Sequence, residues 1–440
     1  VPEDNRLRIN AAPTKDFFIS MLVKDIELIR AIIDLVDNSV DGARRIRPQE
    51  NYSGLFVRIT ATGKEFKITD NCGGIPVDLA RNYAFRFGRP EGMTAIPHSV
   101  GQFGVGMKRA FFKLGKAFTV ESRTTNSKFV VSENVDEWKK REEWEFRFKE
   151  LKEGLRIPLS RTGTMITIAP LHPGISEEFD LDTFESRLAA ELAIAHELVM
   201  MKGLEINLGQ LPVQWRPLEL LRSNQLKPAH EVMSWGKGYS KVTVKIYAGI
   251  SESSPRDAGW YIFCNGRMVV GADQSLTTGW GEGDGRVIPK PHPQFARFRG
   301  YVFFDSDDAS GLPWNTTKSG VDVDSPTFKS VRLKMITLMR PVIDFLNRLD
   351  REKGREAADP KPLEAAMNAA KPVGLESLKP SPLFVSPKPP PLPRPPATGR
   401  IQYSKHLDEI KRVQKQLKVQ TYKEVGEKTF EYFLKMECES

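Results

Sequence analysis

Cysteine is scarce in this chain: its 440 residues carry three, Cys72, Cys264 and Cys438, set far apart. That spacing excludes a disulfide framework and the paired pattern of a zinc site, and it points to a reducing, intracellular setting. The six histidines are scattered and form no ligand cluster. No apolar run reaches the roughly 18 residues that a membrane-spanning helix needs, so no membrane partner is expected. The opening residues, from Val1 to Arg6, lack the apolar stretch of a secretory signal. No G-x-x-x-x-G-K-[ST] occurs, which excludes a P-loop, and no internal repeat is found.

What is present suits a folded chain of more than one domain. Hydrophobic residues make up 40% and charged residues 28%, enough to bury cores and keep a polar surface. The formal net charge is +9, which permits contact with nucleic acid or another polyanion. Composition breaks near residue 350, and the basic surplus is concentrated beyond it. From Pro380 to Pro396 the prolines fix φ and remove backbone donors, which predicts a stiff polyproline-II spacer. Beyond it, Tyr403–Leu417 and Tyr422–Leu434 have the apolar spacing of two short helices.

Ahead of the break, residues 16–200 alternate helical and strand patterns, whereas 204–325 read mostly as strands. Those strands are expected at Glu205–Leu208, Val242–Ala248, Trp260–Val270 and Arg299–Asp305. Thr327–Leu349 reads as a closing helix with Val331, Met335, Leu338 and Val342 on one face.

Chemistry concentrates in the first region. Residues 24–43 read as a largely buried helix on which Asp34, Asn38 and Asp41 fall at i, i+4 and i+7, a single polar stripe. Acids are rarely buried without a partner, and a metal-bound polyphosphate would be one. A solvated stripe of an amphipathic helix would look the same. Phe66–Ile75 reads as a strand ending at Asp70 and a turn through Gly74 and Ile75, where a carboxylate can accept from an exocyclic amine. A plain Asp-Asn turn fits equally well. Gly101, Gln102, Phe103, Gly104, Val105 and Gly106 then lead into a helix starting at Met107 and Lys108. Glycines there let the backbone approach phosphates, and a helix N-terminus offers free N–H groups to anions. Finally, a β-rich strand starts at Gly163-Thr164.

These four segments, in this order, resemble the GHKL superfamily: type II topoisomerase ATPase subunits, MutL and MORC proteins, Hsp90-type chaperones and histidine kinases. The resemblance implies an ATP and Mg²⁺ site in which Asn38 ligates the metal and Asp70 binds the adenine amine. It also implies that Gly101–Lys108 cradle the phosphates and that Thr164 supports the adenine through water. Asp34 stands at the general-base position, where the family normally has Glu, and its side chain is shorter by about 1.5 Å. A misplacement of about 1 Å can cost on the order of 10²-fold in rate, so slow hydrolysis is expected. Cys72 is a second departure, at a position usually held by Gly, which the loop is expected to tolerate.

Residues 204–345 look like the transducer-type domain that follows the ATPase domain in topoisomerases, MutL and MORC. Tyr261–Val269 resembles a strand with Asn-Gly-Arg, and Leu312–Ser319 resembles the loop that sends a lysine to the γ-phosphate, which makes Lys318 the candidate. His196 follows the nucleotide motifs, whereas a phosphoacceptor histidine precedes them, so the kinase reading is rejected and His196 is taken as an ordinary helix residue.

The expected fold class is α+β, a Bergerat-type α/β sandwich ATPase domain followed by a transducer-like α/β domain. The expected order is an N-terminal segment 1–24 that could cross to a dimer mate, an ATP-binding domain 25–203, a transducer-like domain 204–350, a Pro-rich linker 351–400 and a helical module 401–440. The expected function is an ATP-gated dimerising clamp acting on DNA. The alternative is an Hsp90-like chaperone or regulatory module acting on protein, with slow or no hydrolysis. Expected partners are a second copy, DNA through the basic surface, and a protein held by the Pro-rich segment and C-terminal helices. The expected location is the cytoplasm, or the nucleoid or nucleus if DNA is the client.

Overall fold

The computed structural model of the chain describes residues 11–24, 26–88, 99–100, 104–315, 317–354, 361–387 and 399–438. The first part runs α1 (Lys15–Lys24), α2 (Leu28–Ile46), β1 (Phe56–Ala61), β2 (Phe66–Asp70) and α3 (Val77–Leu79), which widens into a π-helical turn, Ala80–Ala84. Then come α4 (Gly106–Leu114), β3 (Ala117–Arg123), β4 (Ser127–Asn134), α5 (Val135–Lys140), β5 (Phe148–Glu153) and β6 (Gly163–Ile168). Helices α6 (Pro173–Phe179), α7 (Phe184–Ala195) and α8 (Glu197–Met201) lead to β7 (Glu205–Leu208) and β8 (Leu211–Pro212).

The strands form one eight-stranded sheet in the order β5-β4-β3-β6-β2-β1-β7-β8. Period-2 alternation puts Phe118 and Val120 of β3 and Phe129 and Val131 of β4 in the core, leaving Thr119 and Ser132 to pair on the other face. Helices α2, α4 and α7 bury their apolar residues on the core side. Helix α2 has no side-chain N-cap bond, so packing holds it: residues 31–43 are buried except Asn38. Arg44 and Arg45 in its last turn complement the helix dipole.

Strand β7, read from the sequence as part of the second region, instead pairs parallel to β1, with Phe56 opposite Glu205. The first sheet therefore extends past residue 203. Helix α1, in the segment expected to cross to a partner, lies on its own domain. Lys15 Nζ donates to the carbonyls of Trp138 (2.9 Å), Arg141 and Glu143 (2.7 Å each) and sits 4.3 Å from the Trp138 ring centre. Residues 1–10 lie outside the described residues.

The second part comprises β9 (Glu219–Arg222), β10 (Ala229–Trp235), β11 (Val242–Ile250), β12 (Gly259–Cys264), β13 (Arg267–Asp273) and β14 (Phe298–Ser306). Helices α9 (Pro326–Lys353) and α10 (Pro362–Asn368) and strand β15 (Lys371–Gly374) follow. Strands β10 to β14 form a five-stranded sheet ordered β10-β11-β14-β12-β13, and α9 packs on it with Val331, Met335, Leu338 and Val342 buried. The chain is thus a mixed α+β protein with a second domain behind the first.

Part of the expected proline spacer is packed rather than free. Strand β15 pairs with β9, Ser381 and Val385 bridge to His230 and Lys227, and Phe384 is buried against Phe345. Proline tolerates such edge positions because only alternate residues need to donate. Residues 388–398 of the spacer lie outside the described residues. The last residues form a separate compact unit, 388–440, in which α11 (Leu407–Leu417) and α12 (Tyr422–Phe433) make a helical pair. Thr421 and Glu424 form a capping box at the start of α12. No described helix is long and apolar enough to cross a membrane.

Candidate active site

One cavity is lined by Asp34, Asn38, Asp41, Asp70, Gly74, Ile75, Gly104, Val105, Gly106, Met107, Lys108, Thr164 and Lys318. These are all of the sequence candidates among the described residues; Gly101, Gln102 and Phe103 lie outside them. The polar stripe of α2 is therefore not a solvated outer face. It is turned inward, and Asn38 is the single exposed residue in the buried run because it opens into the cavity.

At one end sits Asp70, at the tip of β2. Its Oδ1 accepts from the backbone N–H groups of Cys72 (2.9 Å) and Thr164 (3.1 Å), and its Oδ2 accepts from Ser39 Oγ (2.8 Å). Burial pushes its pKa upward, while these hydrogen bonds and the Arg45 charge act against the shift. A carboxylate has about four acceptor sites, so room remains for one more donor. Arg45 also lines this end and donates to Gly74 O. Cys72 is accommodated because the left-handed turn is carried by the two residues after it, Gly73 (φ 86°) and Gly74 (φ 71°). Ser39 and Arg45 were not singled out from the sequence; their place on α2, five and eleven residues after Asp34, was the available signal.

At the other end, α4 begins at Gly106 with its N-terminus facing the cavity. A Cβ at Gly106 would stand 3.0 Å from Asp34 Oδ2, so glycine allows α4 to meet α2 this closely. Lys108 lines the cavity from the first turn of α4. Its Nζ donates to Ala84 O (2.8 Å) and to Gly104 O, and burial lowers its pKa to about 7. Its ammonium braces two backbone carbonyls rather than standing free toward the cavity.

The deepest feature is a charge cluster that joins both domains. Lys318, from a turn in the second domain, adopts a left-handed conformation (φ 52°), and Asn315 Oδ1 supports the turn by accepting from Ser319 N (3.0 Å). Lys318 Nζ lies 2.7 Å from Asp37 Oδ2 and 3.5 Å from Asp34 Oδ1. Asp37 Oδ1 also meets His196 Nε2 at 3.0 Å and Arg267 Nε at 3.3 Å. Burial acts to raise the Asp37 pKa, but Lys318, Arg267 and His196 together hold it well below the usual carboxylate range. Asp34 shifts upward: burial outweighs the attraction of Lys318.

Asp34 and Lys318 are sequence candidates, whereas their partners Asp37, Arg267 and His196 are not. His196 is not an ordinary helix residue; it interrupts the expected helix between α7 and α8 and is 2% exposed. The hint for Asp37 was an acid directly after the apolar Leu35 and Val36 of α2, and for His196 an imidazole closing the alanine- and leucine-rich run from Leu188.

Residues 26–155 match the family model described as histidine kinase-, DNA gyrase B-, and HSP90-like ATPase. The N-terminal domain is a GHKL ATPase domain. No curated protein matches the chain. The GHKL domain identifies an ATP-binding ATPase module, and its matched span contains every first-domain candidate except Thr164.

The residues present fit the nucleotide and metal that this family implies. Asn38 lines the cavity with a side-chain amide that no described residue hydrogen-bonds, and Mg²⁺ commonly takes few protein ligands beside phosphate and water. Asp70 retains acceptor capacity in the GHKL pocket, and the α4 N-terminus supplies backbone donors for anions.

Proposed function

We propose that the protein is an Mg-ATP-dependent switch in which the second domain reads the occupancy of the GHKL pocket through Lys318. The observation that carries this reading is the position of Lys318 Nζ, 3.5 Å from Asp34 inside the cavity, on a turn belonging to the second domain. A switch needs a contact that differs between two states. Lys318 is such a group, because Asp37 and an anionic ligand at the α4 end would compete for one ammonium.

In this reading Asp70 accepts from the adenine amine, and Thr164 flanks the same carboxylate. Asn38 holds the metal, which when bound neutralises phosphate charge. Asp34 orients the attacking water and takes its proton, and its short side chain makes turnover slow. Asp41, Gly74, Ile75 and Gly104–Lys108 complete the pocket wall. The transducer-like character of the second domain supports the same coupling by its resemblance to MORC and MutL layouts.

The layout and the net charge of +9 further support an ATP-dependent dimer that clamps DNA. Apolar residues exposed on α11 and α12, among them Leu407, Tyr422, Phe430 and Phe433, favour a protein partner for the C-terminal unit.

The test is steady-state hydrolysis beside ATP binding. Asp34→Asn should bind ATP and lose turnover, whereas Asp34→Glu should hold or raise the rate. Normal hydrolysis by Asp34→Asn would place the base elsewhere. Duplex DNA should stimulate hydrolysis at low salt and lose that effect as salt rises. Absence of DNA binding at low salt would remove the clamp reading and leave the chaperone-like alternative.

A further inference from the structure

Between Gly88 and Gly104 the described residues are Ser99 and Val100, and both are held by groups outside their own segment. Val100 N donates to Asp41 Oδ1 of α2 at 2.8 Å. Its side chain, 1% exposed, does not join the core of the first domain; it is packed in the core of the second, with the residues of β11, β14 and α9. Ser99 O accepts from Asn265 Nδ2 at 3.1 Å.

Asn265 occupies the turn between β12 and β13, in the left-handed conformation (φ 46°). An Asn-Gly pair there needs no more explanation than a tight hairpin. Such a side chain would ordinarily face solvent, yet Asn265 is 2% exposed. Its amide group spends its second N–H on Ser306 O (3.0 Å), and its Oδ1 accepts from Ser306 N (2.9 Å). The flipped amide would set a donor against the Ser306 N–H, so the network fixes the orientation. Its backbone carbonyl accepts from Arg44 Nη2 of α2 at 2.6 Å. One buried asparagine therefore links α2, Ser99 and the second sheet.

Ser99 also lines the cavity, directly ahead of the glycines that lead to α4. We propose that Asn265 is a positioning residue which, with Val100 and Asp41, ties residues 99–100 at the cavity wall to the second sheet and relays pocket occupancy to it by a route separate from Lys318. The relay rests on the nucleotide reading above; the tie itself does not.

The experiment is hydrogen exchange on the full chain. Asn265→Gly keeps the left-handed turn and removes the side chain, and Val100→Ala thins the Val100 packing in the second core without touching the turn. Without nucleotide, exchange in peptides covering Ser99–Val100 should rise by about fivefold in Asn265→Gly, the loss of one modest hydrogen bond, while both sheets stay protected. Unchanged exchange there in both variants overturns the tie. In a Lys318→Gln background, ATP should still slow exchange across β12–β13, and adding Asn265→Gly should abolish that slowing with ATP affinity retained. Full slowing in the double variant overturns the relay. A wild-type chain that binds no ATP overturns the nucleotide reading and the relay with it, and the nucleotide-free arm still decides the tie.

Discussion

The two ends of the cavity are built by different rules. The Asp70 end belongs to the first domain alone, and its carboxylate is met by two backbone N–H groups and a hydroxyl. The Asp34 end is finished by the second domain, which contributes Lys318 and Arg267 to a carboxylate pair on α2. Neutral donors make a rigid, self-contained recognition surface. Opposed full charges make a junction whose energy depends on where the second domain stands. One end suits identification of a ligand and the other suits reporting its presence.

The largest test of this contrast is Asp37→Ala, which leaves Arg267 and His196 buried without their carboxylate and Lys318 with Asp34 alone. Removing one partner of a buried ion cluster costs about 3–5 kcal/mol, so the urea midpoint should fall steeply. A drop below 1 kcal/mol, about the worth of an exposed pair, would show that the junction carries little.

Lys108, in the first turn of α4, gives the next effect. Its pKa is about 7 in the fold and 10.5 ordinarily, so the unfolded chain binds the extra proton between those values. Stability should therefore rise from pH 7 to pH 9, by about 2–3 kcal/mol from this group. Lys108→Met should flatten that rise in denaturation measured at the two pH values.

Asp70→Asn should separate recognition from folding. Asn keeps an acceptor for Cys72 and Thr164, so the melting temperature should move little. ATP affinity should fall by about tenfold or more, and the preference over GTP should shrink. An unchanged preference would take the adenine role from Asp70.

The smallest effect lies outside both ends, at the domain junction. Burial lifts Glu197 to about 7 from 4.5, so the native state keeps its proton longer than the unfolded chain. Its contribution to stability is present below pH 4.5 and is lost as pH rises toward 7. Glu197→Gln should remove a slope on the order of 1 kcal/mol.

Much of this was legible in the sequence, for identifiable reasons. The i, i+4, i+7 stripe on α2 was visible because helical period and apolar context fix one face. The turn after Asp70 was visible through Gly73 and Gly74. Lys318 could be singled out only through resemblance, since nothing local marks a lysine on a turn as reaching another domain. Asp37, His196 and Arg267 stayed hidden for the same reason: their pairing spans more than 150 residues of chain. Lys108 was legible as a cavity residue from the glycines beside it, but its bonds to the carbonyls of Ala84 and Gly104 were not, because Ala84 lies 24 residues away. Proline at 380–387 suggested a free spacer, although prolines at an edge can still leave Ser381 and Val385 to pair.

The parallel pairing of β1 with β7 has a consequence for how the chain is made. Phe56 finds its neighbour Glu205 only after the whole intervening stretch has been synthesised. At the ribosome, where chain emerges at roughly 5–20 residues per second, β1 must wait many seconds as an unpaired edge. A chain cut at 203 would keep that edge permanently, and an unpaired edge is a template for aggregation. The smallest piece expected to behave well alone should therefore end beyond Pro212.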